Sequence, residues 1–306
     1  MLQKTKIIAL SLLGAFTQGL LWNLALAPAT ALEIGVSPPK FEVEMNGKGR
    51  SQSIKITNFS AEPVEMQAYV RNWTLNEENK LQEIQSTENS LDQWIVFTPA
   101  RFTIPPRSSQ SLRFAIRPKV QPQEGEHRAV IYLEEVLPQS KENSQSVVTI
   151  GRVGIVVYGY AGKIKRAGTL NSINVDAKAN SVNAIFDISS TGNANVRMKG
   201  QYSIWRAANY PGAKATQPIS GISGAASANV KLPANVVDAG ILRDTPVLAS
   251  TRRKLVMPIK KLPPGNYVLD INGDLNGVAV DQGIPFTVPA TGTTPAAKNP
   301  VIPLRK

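Results

Sequence analysis

Between residues 94 and 136 apolar and polar side chains alternate in short runs, and prolines cut those runs apart: WIVFTPARFTIPPRSSQSLRFAIRP, then EGEHRAVIYLEEV. Alternation with period two puts every second side chain on one face of a strand, and proline cannot donate to a strand ladder. The stretch is therefore confined to short strands joined by tight turns. Further short runs stand at 36–43, 52–58 and 64–73, and a long apolar one at 147–158. Few windows of eleven or more residues carry the 3.6-residue period of a helix. Seven or so short strands in about 125 residues predict a β-sandwich.

The polar, Asn/Glu-rich stretch 76–92 reads as a loop or weak hairpin, and 139–145 as a polar loop. At 161–168 the run AGKIKRAG interrupts the apolar pattern, as a linker does. Alternation resumes at 169–175, 181–189 and 196–205, with a turn at 190–193. The Gly/Ala/Asn/Pro-rich span 207–248 reads as long loops with two strands. Leu262-Pro263-Pro264-Gly265 launches a strand at 266–271, and 277–280 and 285–288 complete the unit. The expected organisation is a first sandwich over 32–160, a linker at 161–168, a second sandwich over 169–290 and a disordered Pro/Thr/Ala tail at 291–306.

Residues 1–31 read as a signal peptide: Lys4 and Lys6 precede an uncharged stretch, and Ala29-Thr30-Ala31 offers a small-x-small cleavage site, leaving Leu32 as the mature N-terminus. No later segment is apolar and long enough to span a bilayer, so no stable membrane insertion is expected after cleavage. The net charge of +12 falls to about +10 when the two lysines leave. Such a balance suits acidic partners or envelope surfaces, and an exported chain rarely meets nucleic acid. With no cysteine there is no disulfide, thiol nucleophile or thiolate metal site.

Signals for an enzyme are thin. His127 is the single histidine, a solvated side chain on this reading, and cannot form a histidine metal cluster. The run from Asp270 to Gly277 (DINGDLNG) looks like an oxygen-rich calcium loop, but its glycine is misplaced and no glutamate closes it. A hairpin turning on Asn272-Gly273 and Asn276-Gly277 is expected instead. Glu134 and Glu135 are adjacent on a strand and face opposite sides. Arg243, Arg252, Arg253, Lys254, Lys260 and Lys261 form a basic group, read as a solvated loop face or a contact for an anionic partner. No catalytic residue, metal or cofactor is assigned.

The run 147–157 is apolar on both faces: Val147, Val153, Ile155 and Val157 on one, Val148, Ile150 and Val156 on the other. Such a strand is either buried on both sides or offers an exposed edge. In a sandwich its second face needs cover from a neighbouring domain or from a partner's strand.

Five pieces in order carry a resemblance to a known family: Ser53-Ile-Lys-Ile-Thr-Asn58, Trp94-Ile-Val-Phe-Thr-Pro99, Phe102-Thr-Ile-Pro-Pro106 with Gln110-Ser-Leu-Arg-Phe114, Glu126-His-Arg-Ala-Val-Ile-Tyr-Leu133, and Val148-Thr-Ile150. Together they resemble the N-terminal domain of the PapD-like periplasmic chaperones of the chaperone–usher pathway. The resemblance implies an all-β chain of two immunoglobulin-like sandwiches set at an angle. It also implies a non-enzymatic function in the periplasm: lending a strand to a pilus-type subunit that lacks one. Val148 and Ile150 would fill the subunit's groove, and an outer-membrane usher is a further partner. The family anchors the subunit's terminal carboxylate with two basic residues. Counting from Asn58 puts the first at Glu42, with Lys40 two residues earlier on the same face; counting from Tyr158 puts the second at Ile155, with Arg152 the nearest cation. Lys40 and Arg152 are the candidate anchors. The alternative is a structural or adhesive envelope protein built from the same sandwiches.

Overall fold

The computed structural model describes residues 33–46, 48–137, 150–223 and 230–290. The expected signal peptide, the expected 139–145 loop, Val148 and the expected 291–306 tail lie outside the described residues.

Two β-sandwiches of immunoglobulin-like build follow one another. In the first, one sheet holds β1 (Ile34–Ser37), β3 (Ser51–Asn58), β8 (Ser109–Ile116) and β6 (Ile95–Thr98), in that order. The other runs β2 (Lys40–Glu44), β10 (Arg152–Ala161), β9 (Gly125–Glu135), β4 (Val64–Leu75), β5 (Leu81–Ile84), with β7 (Arg101–Ile104) also on β4. The expected strand at 36–43 is thus two strands in different sheets. Pro38 and Pro39, which have no N–H to give a ladder, mark the crossing. β1 pairs antiparallel with β3, and β2 pairs parallel with β10. Alternation sends Ile54, Ile56, Leu112, Phe114 and Ile116 inward against Met66, Ile131, Leu133, Ile155 and Val157, all buried.

Trp94 is completely buried, and its indole N–H donates to the Glu88 carbonyl at 2.9 Å. His127 is not a solvated side chain. Its ring lies 5.0 Å from that of Trp94, and its two nitrogens stand 3.2 Å from the Asn89 carbonyl and 2.9 Å from the Gln123 carbonyl. It is a packing residue that ties two loops to the core.

The second sandwich packs β11 (Gly168–Lys178), β12 (Ser181–Ser190) and β16 (Arg252–Ile259) against a sheet ordered β14 (Val236–Ile241), β13 (Val196–Arg206), β17 (Gly265–Leu275), β18 (Val278–Val288), with β15 (Pro246–Val247) also on β13. The basic group is only partly a loop: Arg243, Lys260 and Lys261 lie outside the strands, but Arg252, Arg253 and Lys254 begin β16, whose Leu255, Met257 and Ile259 pack on the core. Arg252 grips Asp187 with two bonds of 2.8 Å. Only Asn276-Gly277 makes the expected hairpin turn, with φ of 49° and 90°, while Asn272-Gly273 lies within β17.

Asp270 is fully buried on the outer face of β17, under the segment 207–223. It accepts hydrogen bonds from Tyr210 (2.6 Å), Asn272 (2.8 Å), Thr216 (3.2 Å) and Ser203 (3.3 Å). Gly283 makes room for the anchor: a Cβ there would lie 2.4 Å from the Tyr210 hydroxyl. Burial pushes the Asp270 carboxyl above the usual range, and the bonds from Tyr210, Thr216 and Ser203 only partly offset it. A carboxyl raised by folding takes its proton in the folded state first, so its contribution improves as pH falls through that raised range. The melting temperature of the wild type relative to Asp270→Asn is therefore expected to rise as pH is lowered from neutral towards 4. A relative fall would contradict this account.

Candidate functional site

The outer face of the first sandwich's second sheet is where the two sandwiches meet. Trp73, Leu75, Val130, Tyr132, Tyr158 and Tyr160 of the first form one buried cluster with Ala194 and Leu248 of the second. Part of the second face of the apolar strand thus has its cover from within the chain. Polar contacts fasten the junction at two places. Beside β13, the fully buried Glu126 carboxylate accepts the Asn195 backbone N–H at 2.7 Å and the Asn195 side-chain amide, and is paired with Arg128 at 3.1 Å. Farther along, Arg253 of β16 donates to the carbonyls of Leu75 (2.7 Å) and Asn76 in the β4–β5 turn. Asn79 of that turn donates back to the Lys254 carbonyl at 2.9 Å.

β10 is covered unequally along its edges. β9 pairs with it from Arg152 to Ala161, but β2 pairs only with Val156 to Tyr160. Because the chain leaves for the other sheet at Pro38 and Pro39, no described strand pairs the outer edge of β10 at Arg152, Val153, Gly154 and Ile155. The ladder with β9 runs on to Gly151, whose carbonyl accepts the Glu135 N–H at 2.9 Å, and Ile150 just beyond is 52% exposed. Ile155, by contrast, is fully buried in the first core.

The structure does not bring Lys40 and Arg152 together. Both lie on the outer face, but Lys40 stands beside Val156, four residues along the strand from Arg152 and so about 13 Å away at ~3.3 Å per residue. Arg152 lies at the open edge. Its guanidinium sits 4.4 Å from the Tyr132 ring centre and bonds the Tyr69 hydroxyl (3.2 Å) and Glu83 (3.5 Å). The Ile155 position counted for the second anchor faces the core.

Lys40 instead lines a pocket of about 120 Å³ between the sandwiches. Its cations are Lys40 from β2, Arg166 from the connection, and Arg197 and Lys199 from β13; its carboxylates are Glu42, Asp244 and Asp274. Lys40 pairs with Glu42 at 3.2 Å. Burial raises the Glu42 carboxyl, but the Lys40 hydrogen bond and the charges of Lys40, Arg197 and Arg166 outweigh it and hold it below its ordinary value. The Arg197 side chain is only 10% exposed. Its guanidinium lies 5.4 Å from the Tyr158 ring centre, and burial pushes the Tyr158 phenol up to about 12, so that ring is neutral. Sequence reasoning passed over Arg197 because it looked for both cations in the first sandwich.

Comparison with known proteins gives three results. Residues 35–155 match the family described as pili and flagellar-assembly chaperone, PapD N-terminal domain. No curated protein sequence matches the chain. Among solved structures, similar ones include a chaperone–tip adhesin complex of CFA/I fimbriae biogenesis (14% identity, TM-score 0.41, covering 84% of this chain and 99% of that one). Another is the YadV chaperone (9%, 0.43, 83% and 100%). A third is the CsuC–CsuE chaperone–tip adhesion subunit complex of Acinetobacter baumannii (12%, 0.39, 84% and 99%). No residue role is carried over from these distant likenesses. The family match runs from β1 into β10, through the strand exchange and the half-open edge described above. The first sandwich is thus similar to the PapD N-terminal domain of the pilus-assembly chaperones over residues 35–155.

Proposed function

We propose that this chain is a periplasmic chaperone for pilus-type subunits, and that it holds a strand-deficient subunit by lending the free edge of β10. The observation that carries this reading is the unequal cover of β10: one edge is fully paired, while the other is open from Arg152 to Ile155 with Ile150 exposed beside it. An unpaired edge offers main-chain N–H and C=O groups to a partner, and alternate side chains choose its groove. A subunit missing a strand has the complementary need. Ile150, with Val148, is assigned to that groove, and Arg152 flanks the edge. Lys40, at the end of the open stretch, is assigned to the subunit's terminal carboxylate. Export by residues 1–31 and hand-over to an outer-membrane usher belong to the same proposal.

The test is affinity purification of the tagged mature protein from periplasm, with mass spectrometry of what co-elutes. One dominant small exported protein is expected at 1:1 stoichiometry, and it should be lost from Ile150→Asp. Equal recovery with Ile150→Asp would overturn the reading. So would finding the protein in the cell-surface fraction without a partner, which is the behaviour of a structural envelope protein.

A further inference from the structure

We infer that Asp244 is a built-in stand-in for the client's terminal carboxylate: it holds the cations of the pocket between the sandwiches until a client carboxylate takes its place. This rests on the chaperone reading for the identity of the client, but the exchange itself is a property of the pocket. Asp244 lies between β14 and β15. One of its carboxylate oxygens, Oδ2, stands 3.1 Å from Arg197 Nη1 and 3.6 Å from Lys40 Nζ, so a single atom joins a cation of each sandwich.

That engagement is incomplete. Arg197 donates from Nε to Asn195 at 3.0 Å, and from Nη1 to the Asp244 carbonyl at 2.8 Å as well as to its carboxylate. Its Nη2 is buried and has no partner among the described residues. A guanidinium is best satisfied by two parallel bonds to one carboxylate, and a buried donor left unpaired costs free energy. Asp244 meets one arm of the fork only. A free carboxylate entering the pocket can take over the Nη1 contact that Asp244 makes, and the space suffices, since about 120 Å³ equals roughly four waters at about 30 Å³ each.

The charges favour a carboxylate in the pocket, and the exposure of Asp244 allows exchange. Four cations face three carboxylates in the pocket, leaving room for about one further negative charge. The Asp244 side chain is 50% exposed, so it can turn into solvent with its charge hydrated when it is displaced. Arg197, nine-tenths buried against Tyr158 and Asn195, stays in place. In the empty chaperone Asp244 keeps a buried cation paired; in the loaded one that duty passes to the client.

The experiment titrates the whole mature protein with N-acetylglycine, which carries a free carboxylate, and with N-acetylglycinamide, which does not, following the backbone N–H resonances of residues 195–199 by NMR. Asp244→Asn is expected to bind the carboxylate about tenfold more tightly than the wild type, by release of one charge-assisted contact. The amide should bind neither. Asp274→Asn removes the same charge from the same pocket without freeing Arg197, and should gain less than half as much. Adding Arg197→Lys to Asp244→Asn should abolish the gain. Equal gains for Asp274→Asn and Asp244→Asn would reduce the effect to net charge and overturn the proposal. So would no gain in Asp244→Asn, confirmed with Asp244→Ala, or a gain that survives Arg197→Lys. Because the probe is a small carboxylate, these outcomes do not depend on whether a pilus-type subunit is recovered from periplasm.

Discussion

Replacing Glu126 with alanine is expected to cost about 3 kcal/mol, which is the low end for removing one member of a buried charged pair. For a chain of this size that lowers the melting temperature by about 6–12 °C. The Glu126 side chain is inaccessible to solvent. It accepts two hydrogen bonds from Asn195 and pairs with Arg128, while its own backbone N–H donates to the Asn193 carbonyl at 2.9 Å. Alanine keeps the backbone bond and removes the carboxylate. Two Asn195 donors then lose their acceptor. Arg128, whose Nε already lacks a partner, becomes a poorly compensated charge against Trp73. The damage falls on the junction rather than on either core, so calorimetry should show the unfolding of the two sandwiches drawing apart. Glu126→Gln keeps one acceptor and should cost less than alanine. An unchanged single transition in Glu126→Ala would mean that Arg253 and the aromatic cluster hold the junction alone.

Much of the fold is legible in the sequence because alternation is a local signal. Ile54 and Ile56, Leu112 and Phe114, Ile155 and Val157 each declare a buried face within a few residues. The signal fails where a second local feature competes with it. Pro38 and Pro39 sit inside an alternating run, so one expected strand is two strands in two sheets. Arg252, Arg253 and Lys254 mask the alternation of Leu255, Met257 and Ile259, so β16 reads as a basic loop. Gly283 and Pro285 look like a break, but β18 lies at the edge of its sheet, where proline is tolerated. The site is harder to read because its contacts are non-local. Glu126 meets Asn195 across 69 residues, and Arg253 meets Leu75 across 178. Neither pairing leaves a trace in spacing. The pocket cations illustrate the same limit: Lys40 was found by counting along a strand, while Arg197 joins it only through the stacking of one sandwich on the other.

Two substitutions on one strand separate folding from binding. Ile155→Asp is expected to destabilise the first sandwich by at least about 4 kcal/mol, since it puts an ionisable group without a partner into a sealed core. Ile155 is fully buried and opposite Ile131 on β9, so a carboxylate there can reach neither water nor a cation without opening the sheets. The protein should be recovered poorly, and thermal unfolding should move down sharply. Ile150→Asp makes the same chemical change five residues earlier, where the side chain is 52% exposed. Surface changes of this kind fall within about 0.5 kcal/mol, so its melting should match the wild type. Its binding should not, because a charge carried into a client's apolar groove must be desolvated with no partner, a penalty of several kcal/mol. The contrast follows from the strand switch. Beyond Pro39, β2 seals β10 from Val156 onwards and makes that half part of the fold; before it, the edge of the same strand is left open. Client binding by Ile150→Asp at wild-type strength, with unaltered melting, would show that the open edge is not where the subunit docks. Loss of both binding and stability would place Ile150 in the core instead. Only loss of binding at constant stability fits a strand whose far half is built into the first sandwich and whose near half is lent, as proposed.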